Sequence, residues 1–235
     1  MGHTANKGGQ TMNDKAASYV QKILIYGLCI GLLIFYAISA KADMLSIPGG
    51  VGGMPYYGNE YVGPIGANLG GNSISGGITC LDINTSTTVP NSGFNVFVGT
   101  LSQVDLSHAK FGSSSDSLFK YQEAAWLNGQ MALTQNQGQI GAISFAIWRL
   151  FAPNASSGSG GDLTAENSWM SQAAQINTKL YDFSSVKIYT ATNTVNQEFM
   201  SGKASPVPIP AGVWLLGSGM AALVALRRRK ATTNI

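Results

Sequence analysis

The sequence predicts an α+β domain with a strand-rich first half, a three-helix insert and a closing strand, flanked by an N-terminal signal helix and a C-terminal transmembrane helix. Three observations carry this expectation. β-Branched and aromatic residues cluster in short runs before residue 107. The apolar spacing then changes to a helical period from residue 118 onward. Uncharged, largely apolar runs of 16 residues stand near both ends, at residues 23–38 and 211–226.

The elements follow in order. Residues 45–77 are rich in Gly and contain Pro48, Pro55 and Pro64 among Tyr56, Tyr57 and Tyr61, which predicts loop and short irregular strands of low order. Residues 78–83 and 94–101 read as strands. Residues 118–133 are rich in helix formers, and Ile140, Ile143, Ile147, Trp148 and Phe151 fall on one face of a second helix. A third helix is expected over residues 164–181, with Asp162 or Thr164 as N-cap. Glu166 would stand in its first turn, where the helix dipole favours a negative charge. Trp169, Ala173, Ile176 and Leu180 would form its buried stripe. Val186, Ile188 and Thr190 alternate with Lys187 and Tyr189 as the closing strand. The expected division is a secretion signal over 1–42, a Gly/Pro-rich loop segment over 43–77, an exported α+β body over 78–204, and a sorting and anchoring segment over 205–235.

Charge narrows the partners. Charged residues make up 11% of the chain, against roughly 25% in soluble globular domains. The formal net charge of +3 belongs to the ends: between Asp43 and Ser205 six basic residues face ten acidic ones. An acidic body excludes nucleic-acid binding, which needs Lys and Arg gathered on the folded face.

The front end reads as a signal for secretion. Lys15 and Lys22 precede the apolar run, and Ala40-Lys41-Ala42 supplies the small-x-small pattern that signal peptidase accepts. Cleavage after Ala42 leaves Asp43 first, with Met12 as an alternative start. Cys29 lacks the small residues that precede a lipidated cysteine. At the back end, prolines at 206, 208 and 210 keep the chain extended before the second apolar run. At 1.5 Å per residue that run covers about 24 Å, short of the roughly 30 Å hydrocarbon core. Arg227, Arg228, Arg229 and Lys230 then form a cluster that stays cytoplasmic, which puts the body outside.

Val207-Pro208-Ile209-Pro210-Ala211, followed by Val213-Trp214-Leu215-Leu216-Gly217-Ser218-Gly219 and the Arg cluster, resembles the PEP-CTERM sorting signals of Gram-negative bacteria, in the variant named for Val-Pro-Leu-Pro-Ala. The glutamate that names the larger family is replaced by Ile209. The resemblance implies recognition by an exosortase, passage through the cytoplasmic membrane, and delivery to the cell surface or an extracellular matrix.

Four segments of the body, Cys80-Leu81-Asp82, Tyr121-Gln122-Glu123-Ala124-Ala125-Trp126, Ser144-Phe145-Ala146-Ile147-Trp148 and Gln197-Glu198-Phe199, resemble PEP-CTERM proteins related to thioester domains. In thioester adhesins a Cys thiol and a Gln side chain condense into a reactive bond that captures a surface nucleophile. The Gln that the family sets two residues before the Ala of Ala-Ile-Trp is Ser144 here. Gln122 stands in a similar Gln-x-Ala-x-Trp context, with Gln139 nearby, so the resemblance implies Cys80 and Gln122 as the pair. Read without the resemblance, Trp126 and Trp148 are helix-packing aromatics and Cys80 is a half-buried strand residue.

Beyond residue 42 Cys80 is the only thiol, so no disulfide forms within that part of the chain. His108 has no companions at ligand spacing, and residues 154–162 read as a solvated loop with few charged oxygens for calcium. No metal, cofactor or enzymatic activity is expected. The expected function is that of a structural, adhesive or polysaccharide-associated surface protein. The alternatives are a membrane-displayed hydrolase using Asp82 and Asp105 as acid and base, and a thioester adhesin using Cys80.

Overall fold

The computed structural model describes residues 43–50 and 54–208, together with Leu215, Leu216, Ser218 and Met220, which are helical. The signal segment with Ala40 and Ala42, the motif residues Ile209, Pro210 and Ala211, and the cluster Arg227, Arg228, Arg229 and Lys230 lie outside the described residues. Among the described residues, no helix is long and apolar enough to cross a membrane.

The fold is mixed α+β: one curled antiparallel sheet of seven strands with three helices on one face. The strands are β1 (Asp43–Ile47), β4 (Asn68–Leu69), β5 (Asn72–Ser73), β6 (Thr79–Cys80), β7 (Asn91–Gly99), β9 (Lys187–Ala191) and β10 (Phe199–Ser201), in the order β5-β4-β1-β7-β9-β10-β6. A hairpin of β2 (Tyr56–Tyr57) and β3 (Glu60–Tyr61) and a ribbon of β8 (Tyr181–Asp182) and β11 (Ser205–Pro206) stand apart from it. The curl brings the two sides of the sheet together just ahead of β4 and β6. There Ile65 and Ile78 exchange backbone hydrogen bonds of 2.9 and 2.8 Å.

Both faces of the sheet are covered at β9 and β10, while β1 and β7 bury one face and expose Met44 and Asn95 on the other. On the concave side Leu45, Ile47, Phe94, Val96, Tyr189 and Phe199 pack with Ala67 and Ile78. On the other side Val186, Ile188 and Met200 meet the helices. This explains two departures from the sequence reading. The Gly- and Pro-rich stretch supplies three strands of the sheet, because Leu45 and Ile47 are fully buried once β1 pairs with β7. Its other strands are as short as expected. The strand at Lys187–Ala191 does not close the sheet but lies between β7 and β10. Tyr189 is accordingly buried rather than solvent-facing.

The three long helices of the body are α1 (Ser117–Met131), α2 (Gln137–Phe151) and α3 (Leu163–Ala173), preceded by a four-residue helical turn at Gln103–Leu106. α2 packs against both others and is apolar nearly all round, from Ala142 to Trp148. The side chain of Asn136 caps it by accepting from Gln139 N at 3.1 Å. Asp162 caps α3 as the sequence predicts, accepting from Thr164 N and Ala165 N at 3.0 Å each. α3 ends at Ala173, earlier than expected, because extended Asn177 begins a new 3-10 turn by accepting from Lys179 N. Leu180 is therefore 60% exposed instead of completing a buried stripe.

The β2–β3 hairpin is pinned to the helices through Tyr57. Its hydroxyl donates to Glu166 Oε1 at 3.3 Å and accepts from Asp162 N at 2.5 Å, while its ring lies on Gly141 of α2. A Cβ at position 141 would stand 2.1 Å from that ring. Gly141→Ala is expected to cost about 2 kcal/mol by overpacking, lowering the melting midpoint by roughly 4–8 °C; an unchanged midpoint would mean that the hairpin is not seated there.

Glu123 on α1 is 5% exposed. Burial, opposed by Lys120 and reinforced by Asp116, pushes its carboxyl up to about 7. The folded chain then holds this proton more tightly than the unfolded one, so its contribution to stability is fully present below about 4.5 and is lost as pH rises through about 7. Thermal denaturation across that window should show Glu123→Gln losing part of the decline and melting higher than the parent at about pH 8.

Candidate functional site

The pairing of β6 with β10 builds the site. Cys80 lies opposite Phe199, so Gln197, two residues earlier on the antiparallel chain, comes beside Asp82. Alternation along residues 197–200 then separates two chemistries. Gln197 and Phe199 face a cavity of about 360 Å³, and Glu198 and Met200 are buried toward the helices. The cavity is also lined by Cys80, Trp148, Ser144 and, at its rim, Glu60 and Tyr61 of the pinned hairpin.

At its wall, one backbone carbonyl gathers the polar groups. The Cys80 thiol donates to Asp82 O at 3.3 Å, and Gln197 Nε2 donates to the same oxygen at 2.9 Å. Asp82 N in turn donates to Cys80 Sγ at 3.3 Å. Trp148 Nε1 donates to Cys80 O at 2.9 Å, which ties α2 to the end of β6. Gln197 N donates to Thr87 Oγ1 at 2.8 Å. Thiol and carboxamide are thus both held within hydrogen-bonding reach of one atom.

Burial pushes the Cys80 thiol up to about 12; the Asp82 backbone and the Trp148 side chain pull it down, and the charges of Asp82 and Glu198 add to the rise. The residue is nevertheless only half-buried by surface area, since one side of it faces the cavity. An apolar wall and two nearby carboxylates disfavour a thiolate, so the sulfur is best accommodated in a neutral form.

Behind the cavity runs a polar network. Glu198, 1% exposed, accepts from Tyr121 Oη at 2.5 Å, Thr190 Oγ1 at 2.6 Å and Lys110 N at 2.7 Å. Burial raises its carboxyl above the usual carboxylate range, and these three bonds work against the rise. Asp82, also 1% exposed, pairs with Lys110 Nζ and accepts from Asn84 N at 3.0 Å through its other oxygen.

Three of the four segments singled out in the sequence converge here: Cys80, Ser144 with Trp148, and Gln197 all line the one cavity. Ser144 donates to Ile140 O at 2.9 Å and accepts from Gly63 N at 3.1 Å, bracing α2 against the chain after the hairpin. Gln122 is a half-buried residue of α1 and does not line the cavity; Trp126 of the same segment donates to Tyr181 Oη at 3.2 Å instead. Gln139 is exposed and accepts from Thr134. Gln197, named in the sequence only as part of a flanking segment, is the glutamine that shares a backbone acceptor with the thiol. Asp82 and Asp105 are taken up by different partners, Asp105 by Thr100 N and Oγ1. His108 stacks on Phe97 at 5.5 Å. Val207, 46% exposed, donates its N–H to Leu180 O at 2.9 Å where the chain leaves the body.

Comparisons with protein-family models, with curated proteins and with solved structures returned no match.

The cavity chemistry predicts a reluctant thiol. With Gln197→Ala leaving Cys80 as the reactive group, alkylation by iodoacetamide should be slow at neutral pH and should keep rising past 9 toward about 12. A plateau near 9, read from intact mass against time, would mean an ordinary exposed thiol.

Proposed function

We propose that the chain is an exported bacterial surface or extracellular-matrix protein whose body is an adhesin carrying an internal thioester between Cys80 and Gln197. One observation carries the second half of this reading: the Cys80 thiol and the Gln197 carboxamide hydrogen-bond to the same carbonyl oxygen, Asp82 O.

The chemistry is a single acyl transfer. Cys80 Sγ attacks Gln197 Cδ, the Cδ–Nε2 bond breaks, and the thiol proton leaves with the amide nitrogen as ammonia. The thioester so formed is neutral, in keeping with surroundings that disfavour a thiolate. Trp148 and Phe199 supply apolar lining to the cavity that Cys80 and Gln197 share. An amine or hydroxyl on a target surface that enters the cavity takes the acyl group and releases the Cys80 thiol, leaving the two surfaces covalently joined. The bond is used once per chain, so the protein is an adhesin and not a turnover enzyme.

The first half of the reading rests on the terminal segments. Signal peptidase would cut after Ala42. An exosortase would read Val207, Pro208, Ile209, Pro210 and Ala211 while Arg227, Arg228, Arg229 and Lys230 hold the chain in the cytoplasmic membrane. The freed body would then reside at the cell surface, among exopolysaccharide.

Intact mass and terminal sequencing of the chain from the native host test both halves. The expected form begins at Asp43, ends near Pro208, and is lighter than its sequence by about 17 Da, the mass of ammonia; methylamine should then add about 31 Da. Cys80→Ala and Gln197→Ala should abolish the deficit and Gln122→Ala should keep it. A folded wild-type chain at full sequence mass would sink the thioester. A membrane-bound form retaining Arg227 would sink the exosortase half alone.

A further inference from the structure

Lys110 joins the two strands that carry the reacting groups, although it touches neither group. Its ammonium pairs with the buried carboxylate of Asp82 and donates to Thr85 Oγ1 at 2.6 Å, fixing the loop after Cys80. Its backbone N–H donates to Glu198 Oε1 at 2.7 Å, fixing the residue after Gln197. The ammonium also lies over the Phe111 ring, 5.9 Å from its centre, which limits where it can go. In the sequence Lys110 is one of the body's few cations and belongs to none of the segments with a family resemblance.

We propose that Lys110 is a positioning residue for thioester formation, acting through Asp82; this rests on the thioester reading above. The Asp82 carboxylate and the Asp82 carbonyl branch from one Cα, so anchoring the first restrains where the second can go. That carbonyl is the common acceptor of the Cys80 thiol and the Gln197 amide. Without the ammonium, a carboxylate that is 1% exposed is left without its counter-charge, and swinging toward water is the way to relieve it. That movement turns the peptide, and sulfur and carboxamide lose their shared anchor. Acyl transfer is sensitive to such displacements, because its rate depends on the reacting atoms being held near contact.

The experiment compares the full exported chain with Lys110→Met, Lys110→Arg and the double variant Asp82→Asn with Lys110→Met, reading the thioester by its mass deficit within the folded, gel-filtered fraction. Lys110→Met is expected to form the bond at least about tenfold more slowly than wild type, and Lys110→Arg, which keeps the charge, to recover most of the rate. The double variant leaves no unpaired buried charge, so it keeps the test open should Lys110→Met fail to fold. It too should form the bond slowly, because the tether is gone. A merely structural lysine would lower the melting midpoint and leave the thioester content of folded molecules unchanged. Wild-type rates in folded Lys110→Met or in the double variant would overturn the proposal while leaving the thioester reading intact. A wild-type chain without the deficit would overturn both.

Discussion

Pairing of β6 with β10 is the constraint on which the site depends. Cys80 opposite Phe199 sets Gln197 beside Asp82, and the Leu81 N–H bond to Glu198 O at 2.9 Å extends the register past the end of the strands. Side-chain alternation then decides the rest: Gln197 goes to the cavity and Glu198 to the helices. A slip of one residue would exchange them, putting a carboxylate beside the thiol and a carboxamide among the helices. Register is protected because Phe199 and Met200 are each buried on opposite faces, in separate apolar clusters. The slip would also turn both of these the wrong way.

Covering both faces of the sheet at β9 and β10 brings the charges of Glu198 and Asp82 inside, and both are met by donors. Glu198 has three, and Asp82 has Lys110 and a backbone N–H. Glu166 combines two roles, as an acid in the first turn of α3 and as the acceptor for the Tyr57 hydroxyl, with Arg149 3.7 Å from its other oxygen. Such groups stabilise little in net terms, since desolvation offsets much of the attraction. They fix geometry instead: Glu198 ties α1 and β9 to β10, and Glu166 ties α3 to the hairpin that forms the cavity rim.

Much of the fold was legible because its signals are local. The apolar face of α2, the N-cap at Asp162 and the strands around Phe94 and Ile188 follow from spacing and capping chemistry within a few residues. The boundaries that differed depend on distant partners. Leu45 and Ile47 look like isolated apolar residues in a Gly-rich stretch until β7 and the opposite wall of the sheet enclose them. Leu180 fits the helical spacing of α3, yet the Asn177 side chain starts a new turn first.

By itself, the sequence determined the mixed α+β class, the order of its main helices and strands, and a lone thiol near residue 80 in an acidic body. These are properties of composition and short-range periodicity, which need no knowledge of what lies across the sheet. Only the tertiary structure decided which glutamine shares an acceptor with that thiol. Gln122 has the more suggestive neighbours in the chain, but it lies on a helix and does not line the cavity, whereas Gln197 is 117 residues from Cys80 and comes to the same carbonyl through one antiparallel pairing. A pairing between strands so far apart is set by the packing of both faces at once, and no local pattern encodes it.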